Sequence, residues 1–269
     1  MPSIPDDPFS LLPSQPLNVT ARAELQLFGA GAELICLPDR AARSGVPGTR
    51  PAFQPNRADE IIRREAVWEA PGVALTPNRF PFADRHAVLW CTERRWHPSL
   101  AMLEVGFAIE DATAGTTIVN SVGAAASIAR SHIHLIGERL PYLSQLRKAD
   151  LEADVVGLRK TDLDGCQLER LASPFPVLAV GVRGPHANRA RVVHRLLECR
   201  TTPAFNLIGS EGTAWLVPRS EVEVPAPHFP QALGGAEFWG RWCFDDRDTL
   251  EKSTAQALEQ AVRLTGVSP

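Results

Sequence analysis

The segment from Thr116 to Gly137 constrains the fold of this chain more than any other stretch. Its first part, Thr116-Thr-Ile-Val-Asn120, predicts a β-strand because β-branched side chains dominate it. A loop of glycine, alanine and serine follows, and the chain resumes with His132-Ile-His134-Leu-Ile. The sequence therefore predicts a strand, a loop of small residues and a second strand that carries two histidines.

Alternation along the second strand sorts its side chains between two faces. In an extended strand, Arg130, His132 and His134 share one face at steps of about 6.6 Å, since a strand rises about 3.3 Å per residue. Ile133 and Leu135 point the other way and suit a hydrophobic core. Three polar side chains at this spacing could contact one phosphoryl group and its neighbours, although the pattern alone also fits histidines on a half-exposed strand.

The remaining elements indicate an α+β fold. Strand and helix patterns interleave without the regular spacing of β-α-β units, which favours an antiparallel sheet with flanking helices. The patterns predict helices over 99–112, 190–199 and 248–264, strands over 86–91, 176–182 and 238–244, a hairpin of 204–208 with 213–218, and a long loop over 38–60.

Composition and charge describe an ordinary globular protein. Apolar residues make up 44% and charged residues 22% of the 269 positions. The formal net charge of −3 does not favour nucleic acid as a partner. An anionic substrate would therefore need a local basic site.

Targeting and redox signals point to the cytoplasm. No apolar run approaches the length of a membrane helix, and the first residues lack the basic and apolar regions of a signal peptide. The five cysteines are scattered and predict neither a disulfide framework nor a zinc site. We expect a cytoplasmic protein with reduced thiols, no membrane contact, no metal and no cofactor.

Histidine suits the chemistry of phosphoanhydrides. Its ordinary pKa is about 6.5, so a neutral imidazole nitrogen can attack phosphorus near pH 7. The resulting phosphoramidate can pass its nucleotidyl group to a second acceptor. A small-residue loop beside the histidines, here with Gly123 and Ser127, can bring backbone N–H groups close to the phosphoryl oxygens.

These motifs resemble the histidine-triad superfamily, in particular its branch of galactose-1-phosphate uridylyltransferases, diadenosine-tetraphosphate phosphorylases and GDP-hexose phosphorylases. Asn120, Gly123, Ser127, His132 and His134 match the pattern of that branch. Further matches lie upstream in 77–89 and downstream in 204–219 and 232–240. The resemblance spans roughly residues 70–269 and implies two histidine-triad-like halves built on antiparallel sheet.

Two registers fit the resemblance. In the first, Ser127 lies five residues before the nucleophile, which is then His132, with Arg130 and His134 in the outer triad positions. In the second, His134 is the nucleophile and Ile136 takes a position that needs a phosphate donor. We prefer the first register for this reason. Arg130 departs from the family, because a guanidinium cannot donate a proton as histidine can, although it could clamp a leaving phosphate.

The resemblance also implies a substrate site. Asn78 and Phe80 would contact the nucleoside, and Asn120 and Gly123 would shape the phosphate loop. Arg79 and Arg139 could add phosphate contacts. The implied domains are an N-terminal arm with the first strands (1–70), a catalytic half (71–172) and a second half similar to the phosphorylase C-terminal part (173–269).

The implied function is nucleotidyl transfer or phosphorolysis through a covalent nucleotidyl-histidine. The substrate would be a nucleoside diphosphate sugar or a dinucleoside polyphosphate, and the protein could form a homodimer. Two alternatives stay open: a nucleotide hydrolase, suggested by histidine at position 134, and a non-catalytic nucleotide-binding protein, suggested by Arg130.

Overall fold

A computed structural model describes residue 5 and residues 7–14, 16–42, 55–142, 145–220 and 227–269. In this part of the chain the strands are β1 (Ala21–Leu27), β2 (Ala30–Cys36), β3 (Trp68–Ala70), β4 (Val73–Pro77), β5 (His86–Cys91), β6 (Thr116–Asn120), β7 (His132–Ile136), β8 (Lys148–Asp150), β9 (Gln167–Leu171), β10 (Val180–Arg183), β11 (Ala204–Ser210), β12 (Thr213–Arg219) and β13 (Arg241–Phe244). The α-helices are α1 (Pro55–Glu65), α2 (Leu100–Thr113), α3 (His186–Cys199), α4 (Gly235–Phe238), α5 (Arg247–Lys252) and α6 (Ala255–Thr265). Short 3-10 helices lie at Pro8–Leu11, Pro38–Ala42, Ala153–Val156 and Lys160–Leu163.

A ten-stranded antiparallel sheet organises the fold, in the order β3-β4-β5-β7-β6-β11-β12-β10-β9-β8. The sequence β5-α2-β6-β7 on one side is repeated as β10-α3-β11-β12 on the other. The two repeats meet where β6 pairs with β11, for example at Thr117 and Gly209. The chain thus has the predicted α+β architecture of two similar halves.

The two faces of the sheet have different covers. Helices α2 and α3 pack on one face, where Ile133 and Leu135 of β7 join the core. A smaller sheet in the order β1-β2-β13 covers the other face. Its side chains contribute to the hydrophobic cluster there. Because side chains alternate along a strand, His132 and His134 lie on this second face.

A buried charged cluster lies beneath the seam between the halves. Glu110 of α2 faces Arg189 of α3, with 3.4 Å between Glu110 Oε1 and Arg189 Nη2, and Arg189 also contacts Asp111 at 3.0 Å. Gly209 lies against Glu110 and Thr117, so that any side chain at 209 would collide with them. Desolvation raises the pKa of Glu110 to about 8, although the charge of Arg189 opposes this shift.

We expect this carboxyl group to make stability fall as the pH rises. The folded protein holds the Glu110 proton more tightly than the unfolded chain, so its contribution is complete below about pH 4.5 and is lost between there and pH 8. The slope can reach about 1.4 kcal/mol per pH unit. Urea unfolding of the wild type and of Glu110→Gln across pH 5–9 checks this. A difference between their stabilities that stays constant with pH would contradict it.

Most predicted elements are confirmed. The strand over 86–91 is β5, the helix over 99–112 is α2, and the hairpin of 204–208 with 213–218 is β11 and β12. The predicted helix over 190–199 is present and begins one turn earlier, at His186.

Several predicted bounds are wrong. Part of the predicted loop over 38–60 is helical, because Pro55 suits the first helical position and the following residues are good helix formers; positions 43–54 of that loop lie outside the described residues. The predicted helix over 248–264 is divided between α5 and α6, since Thr254 caps a new helix by accepting from the N–H of Ala257 at 3.2 Å. The predicted strands over 176–182 and 238–244 begin too early. The strands start at Val180 in β10 and at Arg241 in β13.

The predicted division into three units stays a prediction. Strands β8 and β9 precede the proposed boundary at 172 and pair with each other, and β9 also pairs with β10 beyond the boundary. Likewise, β2 from the N-terminal unit pairs in parallel with β13 from the C-terminal unit. No helix among the described residues has the length and apolar character needed to span a membrane.

Candidate active site on the histidine strand

His132 begins β7, and its hydrogen bond fixes the position of its ring proton. Nδ1 of His132 lies 2.7 Å from the backbone carbonyl oxygen of Arg130. A carbonyl oxygen only accepts, so Nδ1 must carry the proton. In the neutral ring the lone pair is then on Nε2, which is the nitrogen able to attack phosphorus.

His134 lies next to His132, with ring centroids 5.1 Å apart. Its own proton is placed by a relay that starts from the backbone. The N–H of Phe82 donates to Nδ1 of His86 at 3.2 Å, so a neutral His86 ring carries its proton on Nε2. That nitrogen lies 3.1 Å from Nδ1 of His134. His134 therefore accepts at Nδ1 and holds its own proton on Nε2, as a potential donor.

Asn78 joins this cluster from the loop after β4. Its amide nitrogen lies 2.7 Å from Nε2 and 3.4 Å from Nδ1 of His86, and 3.5 Å from Nδ1 of His134. An atom this close to both nitrogens of His86 cannot lie in line with either one, so the amide packs beside the ring and leaves the relay intact. Asn78 Oδ1 also accepts the N–H of Phe80 at 3.0 Å, which shapes the loop.

Two other predicted substrate-binding residues, Arg79 and Phe80, lie on the same loop. Phe80 is half-buried, and the exposed Arg79 places its guanidinium 5.7 Å from the Phe80 ring. Phe82, which the motif contains but which had no predicted role, packs edge-on against His86 at 4.3 Å. The structure thus brings Asn78, His86 and both histidines of β7 together, with Arg79 and Phe80 at the margin.

Arg130 lies just before β7, and protein acceptors surround its guanidinium. Its Nη1 donates to three successive carbonyl oxygens, of Cys91 at 3.0 Å, Thr92 at 2.9 Å and Glu93 at 3.0 Å. Its Nη2 donates to Asp59 of α1. The side chain is only 4% exposed. Protein acceptors therefore hold this guanidinium. Its predicted contact with a leaving phosphate stays a prediction.

The small-residue loop between β6 and β7 has a left-handed backbone at two points, Gly123 with φ +89° and Ala125 with φ +70°. Glycine adopts this conformation without strain, and alanine does so only at a cost. Ser127 is exposed on the loop, whereas Gly123 is buried. The loop thus exposes the Ser127 hydroxyl group, whose predicted phosphate contact stays a prediction.

Asn120 anchors the start of this loop to the second half of the molecule. Its Oδ1 accepts from Nδ2 of Asn206 at 2.8 Å and from the N–H of Gly235 at 2.9 Å. Asn206 also donates to the carbonyl oxygen of Ala124 at 3.0 Å, and its own Oδ1 accepts from Arg219 at 2.7 Å. Sequence analysis gave no role to Asn206 or Arg219. Their only signal was the resemblance of the segments that contain them to the second half of the phosphorylases.

Arg139 lies apart from this cluster. Its side chain is 60% exposed and pairs with Glu211 in the β11–β12 turn at 2.8 Å. Its predicted phosphate contact stays a prediction that this pairing does not support. The described residues contain no group of three or more His, Cys, Asp or Glu side chains arranged to bind a metal.

The nucleophile candidate itself is well covered. His132 is 4% exposed, and its ring lies 5.0 Å from that of Trp90 on β5. Trp90 and Val88 form a hydrophobic cluster with Ala58 of α1. Helix α1 therefore packs near the histidine face of the sheet.

Comparison with solved structures confirms the predicted fold. No family model and no curated protein sequence matches the chain. The structure is similar to that of yeast Ap4A phosphorylase Apa2 in complex with Ap4A, with a TM-score of 0.67, 14% identity and coverage of 96% of this chain and 92% of that one. The same enzyme in complex with AMP gives 0.62, 12%, 96% and 92%. The chain therefore has the histidine-triad-like α+β fold of this phosphorylase.

Proposed function

We propose that this protein is a nucleotidyltransferase of the phosphorylase type. It acts on a nucleoside diphosphate sugar or a dinucleoside polyphosphate through a nucleotidyl group bound to His132. The observation that carries the proposal is the 2.7 Å hydrogen bond from His132 Nδ1 to the carbonyl of Arg130, because it places the ring lone pair on Nε2. The shared fold with an Ap4A phosphorylase supports the substrate class.

In the first step, the lone pair of His132 Nε2 attacks the α-phosphorus. An N–P bond forms while the bond from phosphorus to the bridging oxygen breaks, and the leaving group departs with that electron pair. His134 Nε2–H donates a hydrogen bond to the leaving oxygen, an orientation that the relay from Phe82 through His86 sets. Ser127 and the loop around Gly123 bind the non-bridging oxygens.

In the second step, an oxygen of inorganic phosphate attacks the same phosphorus and the N–P bond breaks. The electron pair returns to Nε2, and a nucleoside diphosphate is released. The carbonyl oxygen of Arg130 accepts a hydrogen bond from Nδ1–H throughout, so it stabilises the positive imidazolium ring of the intermediate.

Product analysis distinguishes this function from hydrolysis. Candidate dinucleoside polyphosphates and nucleotide sugars are incubated with the protein, with and without inorganic phosphate. We expect turnover that requires phosphate and gives a nucleoside diphosphate. Formation of a nucleoside monophosphate at the same rate without phosphate would instead identify a hydrolase, the alternative that histidine at position 134 favours.

The cover over His132 favours the second alternative, a non-catalytic nucleotide-binding protein. With the residue 4% exposed, the proposal requires that neighbouring side chains withdraw when a substrate binds. Thermal shift with the same nucleotides, followed by intact-mass measurement, separates the two functions. A nucleotide that stabilises the protein without ever adding mass to it would support the non-catalytic alternative.

A further inference from the structure

We propose that Asp59 of α1 is a positioning residue that acts through Arg130 to hold His132 in its nucleophilic tautomer. This inference rests on the proposed function for its catalytic meaning, but its structural part can be measured without turnover. Arg130 is the residue at which this chain departs from the histidine-triad pattern that it resembles. Its guanidinium donates hydrogen bonds to three backbone carbonyl groups and to Asp59.

The guanidinium of Arg130 fastens two separate segments to one another. Through Nη1 it holds the turn after β5, whose carbonyl groups of Cys91, Thr92 and Glu93 converge on it. Through Nη2 it reaches Asp59, 71 positions earlier in the chain. A cation that is 4% exposed is costly unless acceptors surround it. Among the described residues, its one ion pair is with the carboxylate of Asp59.

The backbone of Arg130 carries this restraint to the nucleophile. Its side chain and its carbonyl oxygen belong to one residue, so fixing the guanidinium limits how the peptide group can rotate. That carbonyl oxygen is the acceptor for His132 Nδ1 at 2.7 Å. The neighbouring backbone adds support. The N–H of Ser131 donates to the carbonyl oxygen of Arg95 at 2.8 Å, and the N–H of Cys91 donates to the carbonyl oxygen of Ser131 at 3.0 Å.

The charge on Asp59 is suited to this role. Partial burial opposes ionisation, but hydrogen bonds and charges from Arg94 and Arg130 hold the pKa of Asp59 below its ordinary value. Arg94 is the exposed partner, at 2.9 Å and with 61% of its side chain accessible, so its pairing with Asp59 contributes little. Arg130 is the buried partner and depends on Asp59 more strongly.

The test compares Asp59→Ala with Glu60→Ala. Glu60 is a neighbour on the same helix whose ion pair within the described residues is with Arg64. The ring nitrogens of His132 are observed in long-range ¹H–¹⁵N spectra of histidine-labelled protein and assigned with His132→Ala. We expect the wild type and Glu60→Ala to show a protonated Nδ1 and an unprotonated Nε2. In Asp59→Ala the two nitrogen shifts should move towards each other.

Kinetics provides the second measurement. We expect Asp59→Ala to lower the rate of nucleotidyl-enzyme formation about tenfold with little change in KM, and Asp59→Glu to restore most of it. Combined with Arg130→Gln, Asp59→Ala should have almost no additional effect, since the two residues act in series. Arg94→Ala should leave the rate near the wild-type value.

The outcomes separate the two proposals. If Asp59→Ala keeps the wild-type His132 shifts, the positioning role is overturned, whatever the protein does with nucleotides. If those shifts change but the wild type forms no nucleotidyl adduct, the positioning role stands and the proposed function fails. If the shifts and the adduct rate change together, both are supported.

Discussion

Replacing His132 with alanine should abolish nucleotidyl transfer. The wild type, incubated with a substrate labelled at the α-phosphate and quenched in alkali, should retain label on one histidine, and His132→Ala should retain none. We expect turnover to fall by a factor on the order of 10⁴ or more, as for the loss of other covalent nucleophiles. We propose this role for His132 because its Nδ1 donates to the Arg130 carbonyl at 2.7 Å, which leaves the lone pair of a neutral ring on Nε2.

The matched control is His194→Ala. His194 lies on α3 and contacts Glu198 at 3.6 Å, so its loss removes an imidazole that the mechanism does not use. It should keep the label and the turnover of the wild type. His134→Ala should still accept label, more slowly, because in the proposed mechanism His134 assists the leaving group without forming the bond. Label that survives in His132→Ala and disappears in His134→Ala would mean that the second register is correct.

The second large effect is expected at Asn206 on β11. This residue belongs to the second half of the molecule, in which β12 takes the place of β7 and carries no histidine. The side chain is fully buried and makes three hydrogen bonds, to Asn120, Ala124 and Arg219. Asn206→Ala removes all three bonds and takes the side-chain donor away from the buried carbonyl oxygen of Ala124. Asn120 Oδ1 keeps the N–H of Gly235, and Arg219 keeps the carbonyl of Leu233. We expect a loss of about 3 kcal/mol in the free energy of unfolding and a 10- to 100-fold lower rate of adduct formation, as for other outer-shell residues.

Urea unfolding and single-turnover labelling measure these two effects separately. Asn188→Ala serves as the control, because Asn188 bonds the carbonyl of Asp164 at 2.6 Å and accepts from Arg191 at 2.8 Å, far along the chain from the loop. It should lose some stability and keep the labelling rate. An Asn206→Ala protein that is destabilised but labels at the wild-type rate would show that Asn120 and Ala124 do not need this support.

The sequence was informative about the site where neighbouring residues carry the pattern. His132 and His134 are two positions apart, and alternation along an extended strand is enough to predict that they share a face. The loop with Gly123 and the segment from Asn78 to His86 are similarly local patterns. The structure brings His86 of that segment within hydrogen-bond range of His134 on β7. Arg130 was the exception. It fits the alternation, but it precedes β7, and hydrogen bonds to acceptors such as the Cys91 carbonyl determine where its side chain lies.

Local sequence therefore determined the elements, the antiparallel α+β class and the two histidines that β7 presents. Tertiary structure decided what holds them in place. Asp59 reaches Arg130 across 71 positions, and Asn206 reaches Asn120 across 86. Such contacts leave no periodicity in the sequence, because they depend on how separately formed helices and strands pack. The proton positions of His132 and His134 were decided at the same level, since each depends on an acceptor or donor that only the folded chain brings near.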